Sequence, residues 1–467
     1  MTTETVFILL LVLVLFLGLL SVRLHVGLSL MLAGLVGVVL LRSMGAAVST
    51  AANQPYSSAA DYSLTIIPLF IVMGVLAVKA GLAQAGFDFA SRVLRRLPGG
   101  SALASLAGSG LFAAVTGSSV ATVATMARVS TDAIVSAGHG LRLAAGIVCA
   151  GGTLGVLIPP SIVLVLYGVV AEESIGQLLI AGIGPGLLTI LAYALTAMII
   201  VSLQRKRRAA RMVEVPHDTD GSDTAIGLAA PGRSGSTATA VRASAPEKLD
   251  IAGVLFLGVI FGVSIGTIYM GVATPTEAAS FGAMAALIVM LIRVRPPQWL
   301  DRLRESITEA IGLTAMTFLL MVGAGVFTYF LALSGASTAL VDAVVGADLQ
   351  PYVVLILCLA LLLPLGMFLD GISMILIAAP LLHPILTGYG FDGIWLGILI
   401  VKVAEMALIT PPVGMNAFVF SGAVPEAGLG KVFRGIWPFV FADIAVVALL
   451  IAIPGIVTFL PELSSAT

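Results

Sequence analysis

Two short stretches place oxygen-bearing side chains inside otherwise lipid-soluble sequence: Gly117-Ser118-Ser119 and Asp370-Gly371-Ile372-Ser373. The first offers pliable backbone and two hydroxyls, the second a carboxylate, a glycine turn and a hydroxyl. These are hard donors of the kind an alkali cation takes. A helix broken at such a point also exposes unpaired carbonyls on one stub and unpaired N–H groups on the other. That arrangement suits a cation beside an anionic group. Small residues serve close helix packing equally well, but these breaks recur. Gly117 and Ser119 stand 254 residues before Gly371 and Ser373, and Pro159-Pro160 stand 252 before Pro411-Pro412. Gly81, Ala85 and Asp88 match Gly335, Ala339 and Asp342, again at 254. Colinear matches at a near-constant offset read as an internal repeat. Paired interruptions in the two halves point to a transporter's binding site at the repeat interface.

The proline pairs carry a related signal. Proline removes a backbone donor and frees a carbonyl one turn earlier. Gly151-Gly152-Thr153-Leu154-Gly155 precedes Pro159-Pro160, and Thr410-Pro411-Pro412-Val413-Gly414-Met415-Asn416 follows Glu405. Two prolines flanked by glycines predict unwound segments rather than simple kinks, with Thr153 and Thr410 adding hydroxyl oxygens. Charges inside a membrane are functional candidates by default. Asp370 sits at a predicted tip. Glu405 lies one turn before an unwound segment, where it pairs with Lys402, orients the loop or ligates the ion directly. Arg128 and Asp132, one helical turn apart, read as a pair, and Asn416 as support for its loop.

Something must hold these groups in the bilayer. Hydrophobic residues make up 59% of the chain and charged residues 10%, with a mean hydropathy of +1.13. Apolar runs fill it from end to end, enough for roughly ten crossings at about 20 residues each. Without strand-like alternation they must be helical, so the fold class is an all-α integral membrane protein. Spans are predicted near 5–22, 26–41, 62–80, 141–170, 177–203, 250–270, 278–293, 307–333, 393–420 and 436–460. Residues 101–136 and 352–386 read instead as re-entrant helical hairpins, since broken backbone at depth needs protein or a water-filled cavity around it. Residues 84–97 and 297–305 are amphipathic and suit the inner interface. The polar stretch 205–249 reads as a flexible cytoplasmic linker between a first inverted repeat, 1–204, and a second, 250–467.

Charge sets the orientation. Arg205, Lys206, Arg207, Arg208 and Arg211 form the densest basic cluster and place that loop in the cytoplasm. Counting outward, with each hairpin crossing zero times, puts most arginines inside and both chain ends outside. The two hairpins then open to opposite faces. Nothing in the pattern suggests an enzyme: the chain has no Walker A motif, no zinc-binding His-Glu-x-x-His and no nucleophile with its base. Cys149 and Cys358 lie far apart in apolar runs, as small core residues do. Transport must therefore draw on an ion gradient or the membrane potential.

At these residues the chain resembles the large membrane subunit of the tripartite ATP-independent periplasmic (TRAP) transporters. The resemblance is carried by Gly271 to Ala279 (Gly-Val-Ala-Thr-Pro-Thr-Glu-Ala-Ala), Gly117-Ser118-Ser119, Gly151 to Ser161, Ala181 to Gly186 and Thr410 to Asn416. It implies an inverted-repeat, elevator-type carrier whose mobile domain holds both hairpins and both unwound spans. It implies a bacterial inner-membrane protein that takes up a small organic acid with Na⁺ as the coupling ion and no cofactor. The expected partners are a small four-helix membrane subunit and a periplasmic binding protein. One Na⁺ site would fall at Ser118, Ser119, Gly152 and Thr153, and another at Asp370, Gly371, Thr410 and Gly414. Substrate contacts would fall at Ser119, Pro160, Ser373, Pro412 and Asn416. The Thr274–Glu277 signature implies no ligand. A stand-alone Na⁺/anion symporter and a channel or structural subunit are the alternatives.

Overall fold

Backbone that cannot reach water must bond to itself, and in apolar sequence the helix is the local way to do so. In the computed structural model the described residues are 3–94, 96–97, 99–213, 250–336, 338–339, 346, 349–367 and 369–465. All regular structure among them is helical. The linker expectation from 214 to 249 and the repeat match at Asp342 lie outside the described residues.

The first half runs α1 (Thr3–Ser21), α2 (Val26–Leu41), α3 (Met44–Ala59), α4 (Ile66–Lys79), α5 (Leu82–Leu94), α6 (Gly100–Thr116), α7 (Ser119–Ser136), α8 (Leu141–Thr153), α9 (Ile162–Val170), α10 (Ile175–Ala181) and α11 (Ile183–Val213). The second runs α12 (Ile251–Tyr269), α13 (Pro275–Arg293), α14 (Trp299–Ser334), α15 (Pro351–Gly366), α16 (Gly371–Gly388), α17 (Gly393–Ala407), α18 (Met415–Ala423), α19 (Leu429–Ala452) and α20 (Gly455–Ser465). Eight helices among the described residues are long and apolar enough to cross a bilayer. Large side chains such as Leu191, Leu255 and Ile311 stand exposed on them, as lipid-facing surface does. This is a multi-pass membrane protein.

Two groups of helices pack side by side. In one, α2 lies along α14, and α4 packs on α13 and α14. A Cβ on Gly323 would sit 2.0 Å from the Gly27 carbonyl oxygen. The two backbones therefore touch, the close approach that small residues permit in lipid. In the other group, α8 packs on α6, α7 and α19, while α17 packs on α15 and α16. Helix α16 also meets α9, and α18 meets α7. Each hairpin, α6–α7 and α15–α16, thus leans on both broken spans.

Several expectations change. Residues 44–59, unassigned from sequence, form α3, started by Ser43 accepting from the Ala46 N–H at 3.2 Å. Their polarity hid the helix from a search for apolar runs. The amphipathic stretch 297–305 is continuous with the following span as the single helix α14, and the Trp299 indole donates back to the Val294 carbonyl at 2.8 Å. The span predicted at 436–460 ends at Ala452, because Pro454 cannot continue the ladder, and α20 follows. As the proline pairs predict, the spans 141–170 and 393–420 are each broken into two helices, α8–α9 and α17–α18. Arg128 does not pair with Asp132. Its Nε donates to the Ala423 carbonyl at 3.0 Å.

Candidate functional site

The turn of the first hairpin takes two residues. Gly117 caps α6 at φ +64°, a left-handed conformation that glycine adopts without cost, and donates to the Ala113 carbonyl at 2.8 Å. Ser118 is extended and caps α7, its Oγ accepting from the Ala121 N–H at 3.3 Å. Ser119 then opens α7, and its hydroxyl donates to Oε2 of Glu405 on α17. The second hairpin starts α16 directly behind Asp370, whose Oδ1 accepts from the Ser373 hydroxyl. A Cβ placed on Gly371 would lie 2.6 Å from Oε1 of the same Glu405. One carboxylate therefore spans both tips.

The broken spans back these tips. Helix α8 ends at Thr153, continues as a single 3₁₀ turn, Leu154–Val156, and resumes as α9 behind Ser161, which accepts from the Leu164 N–H at 3.2 Å. Gly155 is pressed on the first hairpin so closely that a Cβ would fall 2.1 Å from the Ala113 carbonyl carbon. Helix α17 ends at Ala407, and Gly414 at φ +59° starts α18. Both proline pairs, Pro159-Pro160 and Pro411-Pro412, have cis peptide bonds. Asn416 ties the spans together: its Nδ2 donates to the Cys149 carbonyl at 3.4 Å and its N–H to the Leu408 carbonyl at 3.1 Å.

Between the tips lies a cavity of about 40 Å³ lined by Ser118, Ser119, Asp370, Gly371, Glu405 and Leu408, among others. Glu405 is 2% exposed and Ser119 4%, so the polar lining is shielded from bulk water. Of the sequence-predicted residues, Ser118, Ser119, Asp370 and Gly371 meet here; the other eight stand outside the lining. Gly152 is next to it, where a Cβ would lie 3.0 Å from the Ser119 carbonyl oxygen. Thr153 turns away and donates to the Ala150 carbonyl at 2.8 Å. Thr410 donates to the Met406 carbonyl at 2.7 Å. Ser373 is buried against Asp370, and Asn416 is buried between the broken spans. Pro160 is buried and Pro412 exposed. Gly414 supplies only its turn.

Glu405, expected to pair with Lys402, orient the loop or ligate the ion, serves the two hairpins. Two residues of weight, Asp443 and Tyr193, are missing from the sequence reading. Lys402 pairs instead with Asp443, Nζ to Oδ1 at 2.5 Å, and Tyr193 donates to the other oxygen of Asp443 at 2.6 Å. Asp443 carried a readable signal, a lone carboxylate in the apolar run of α19, and such a group demands a partner. Tyr193 carried none.

Paired tips, broken spans and buried oxygen donors define a helical membrane carrier. Comparison with known proteins makes the class specific. Residues 13–456 match the family model described as "Tripartite ATP-independent periplasmic transporter, DctM component", and the chain belongs to that family. It is a transporter permease rather than an enzyme. It is 34% identical over 416 residues to the C4-dicarboxylate TRAP transporter large permease protein DctM of Pseudomonas aeruginosa, covering 89% of this chain and 90% of that one. It is 29% identical over 448 residues to the sialic acid TRAP transporter large permease protein SiaM of Vibrio cholerae, covering 96% and 97%. The isethionate TRAP transporter permease protein DctMQ of Oleidesulfovibrio alaskensis is 32% identical over 440 residues, 94% of this chain and 64% of that longer one. In fold, the chain resembles the crystal structure of the Alcanivorax borkumensis YdaH transporter, at a TM-score of 0.60 and 15% identity, over 87% of this chain and 88% of that one.

Proposed function

We propose that this chain is the large permease subunit of a Na⁺-coupled importer of a small organic acid. In this reading it works in the inner membrane with a small four-helix subunit and a soluble periplasmic binding protein. The observation that carries the reading is the cavity shared by the two tips, with Glu405 reaching both. Its donors are hydroxyl and carboxylate oxygens, the chemistry an alkali cation prefers. Its size supports the same assignment. About 40 Å³ exceeds the roughly 10–15 Å³ that one water needs and falls far below the roughly 300 Å³ of a small-molecule site. The cavity suits a cation with little water, and the acid enters only when the tips part.

Ser118, Ser119, Asp370 and Gly371 are the core of the ion site in this reading, with Gly152 behind it, and Thr153, Thr410 and Gly414 shape the broken spans that back the cavity. Ser119, Pro160, Ser373, Pro412 and Asn416 border the path of the acid, and the N-termini of α7 and α16 attract its charge. The substrates in the relatives' names, a C4-dicarboxylate, isethionate and sialic acid, are all anions and support this class. In this reading residues 1–204 and 250–467 act as inverted repeats, the cytoplasmic connection expected over 205–249 begins as the end of α11, which runs to Val213, and both chain ends are periplasmic. The hairpins and broken spans move together against the group built on α2, α4, α13 and α14.

The test is uptake into proteoliposomes that hold the chain with its small subunit, supplied with the binding protein and an imposed Na⁺ gradient. Accumulation should follow the gradient and stop when K⁺ replaces Na⁺. Undiminished uptake without Na⁺ would overturn the coupling.

A further inference from the structure

Behind the first broken span lies a polar chain that the cation site does not use. Lys402 on α17, Asp443 on α19, Tyr193 on α11 and Thr153 at the end of α8 are each no more than 2% exposed. Lys402 Nζ meets Asp443 Oδ1 at 2.5 Å, and the Tyr193 hydroxyl donates to Asp443 Oδ2 at 2.6 Å. Tyr193 gives its one proton to Asp443, so at its 3.2 Å contact with Thr153 Oγ1 the threonine must donate, its single proton shared between the phenol oxygen and the Ala150 carbonyl 2.8 Å away. Lys402 Nζ also lies 5.4 Å from the centre of the Tyr193 ring, and Phe439 packs edge-on against that ring. The phenol is thus fixed by charge at its tip and by contacts on its body.

The chain runs from Lys402 on α17 and Asp443 on α19 through Tyr193 on α11 to Thr153 Oγ1, at the place where α8 gives way to the 3₁₀ turn. The preceding residue, Gly152, abuts the Ser119 carbonyl, and the Ser119 hydroxyl holds Glu405. A displacement of Thr153 therefore reaches the cavity through two contacts. A buried ion pair is no more stabilising than well-packed apolar residues of the same size. What it adds is a definite direction for its hydrogen bonds.

We propose that Lys402, Asp443 and Tyr193 are positioning residues that fix the unwinding point of α8 and thereby set the cation affinity of the cavity between the hairpin tips. They touch neither ion nor substrate. The ammonium of Lys402, neutralised by Asp443, does not serve the transported anion. This inference rests on the cavity being the cation site.

Tyr193→Phe is the direct test, since it keeps the ring and its packing and removes one oxygen. In the reconstituted complex it should raise the half-saturating Na⁺ concentration about tenfold, the equivalent of one hydrogen bond, and leave the rate at saturating Na⁺ within about twofold. Thr153→Val should do the same, Thr153→Ser should restore the parent affinity, and the Phe–Val double variant should be no worse than either single one, because the changes share a contact. An unchanged Na⁺ half-saturation, or a lost saturating rate at unchanged affinity, overturns the proposal. Hydrogen exchange of the Leu154–Val156 amides in the Na⁺-free complex separates this inference from the ion assignment. Faster exchange in Tyr193→Phe supports the positioning role even if uptake ignores Na⁺, and unchanged exchange refutes it.

Discussion

Adding one methyl group at the second hairpin tip tests the shared cavity most directly. Gly371 has no left-handed φ, so alanine can adopt its backbone without strain. The difficulty is space: the new Cβ would lie 2.6 Å from Glu405 Oε1. An unstrained carbon–oxygen contact is about 3.3 Å, so the carboxylate must retreat by about 0.7 Å. It is tethered on its other side by Ser119 and buried, so the move distorts the oxygen donors at both tips. Overpacking of this kind costs about 1–3 kcal/mol. If it falls on ion binding, the half-saturating Na⁺ concentration rises about 5- to 150-fold. The control is Gly388→Ala in the same helix, where nothing lies within 4 Å of the new methyl and helix propensity favours alanine by about 0.5–1 kcal/mol. Both variants are reconstituted, and uptake is titrated with Na⁺. If Gly371→Ala matches Gly388→Ala, Glu405 is not the bridge between the tips.

Four further expectations follow from other contacts. Ser119→Ala removes a hydroxyl bonded to a buried carboxylate, an interaction of about 1.5–3 kcal/mol, and should weaken Na⁺-driven uptake at least about tenfold at limiting Na⁺; parent-like uptake would count against the site. Lys402→Met alone should destabilise the folded protein by about 3–5 kcal/mol, whereas Lys402→Met with Asp443→Leu should be close to neutral, as read from thermal unfolding in detergent. Thr274→Ala should cost about 1 kcal/mol of stability with unchanged Na⁺ dependence. Thr274 Oγ1 accepts from the Glu277 N–H at 3.3 Å and Glu277 Oε2 from the Thr274 N–H at 2.8 Å, which makes the signature a helix cap. Finally, Arg293 bonds Asp250 and holds its carboxyl below the ordinary carboxylate range. That support is complete above about pH 3.9 and lost as pH falls through the lowered value. Acid unfolding should therefore steepen in the parent and flatten in Asp250→Asn.

The hairpins were readable because glycine and serine at mid-run have few uses in lipid other than close packing or a break, and they recur with the same order in both halves. The unwound segments were readable because each proline pair removes consecutive backbone donors. What resisted reading is partner choice across the chain. Lys402 and Glu405 are three residues apart on α17, so they share a side of the helix, and local spacing suggests that they pair. The fold sends one toward α19 and the other toward the tips, to partners 41 and 286 residues away. Spacing along one helix says nothing about which helix will lie against it.

The same limit governs the site. From sequence, the oxygen donors divide by proximity in the chain into one set per half. In space, the leading members of both sets line a single cavity, because each hairpin leans on both broken spans. A cation held there would contact both halves at once. Glu405 is joined to Ser119 and faces Gly371 across a space that one added methyl would overfill. A cation bridging the tips would hold them together, and its release would favour their parting. Two separate coupled ion sites give a sigmoidal Na⁺ dependence, whereas one shared cavity predicts a hyperbolic dependence that Glu405→Ala shifts to higher Na⁺.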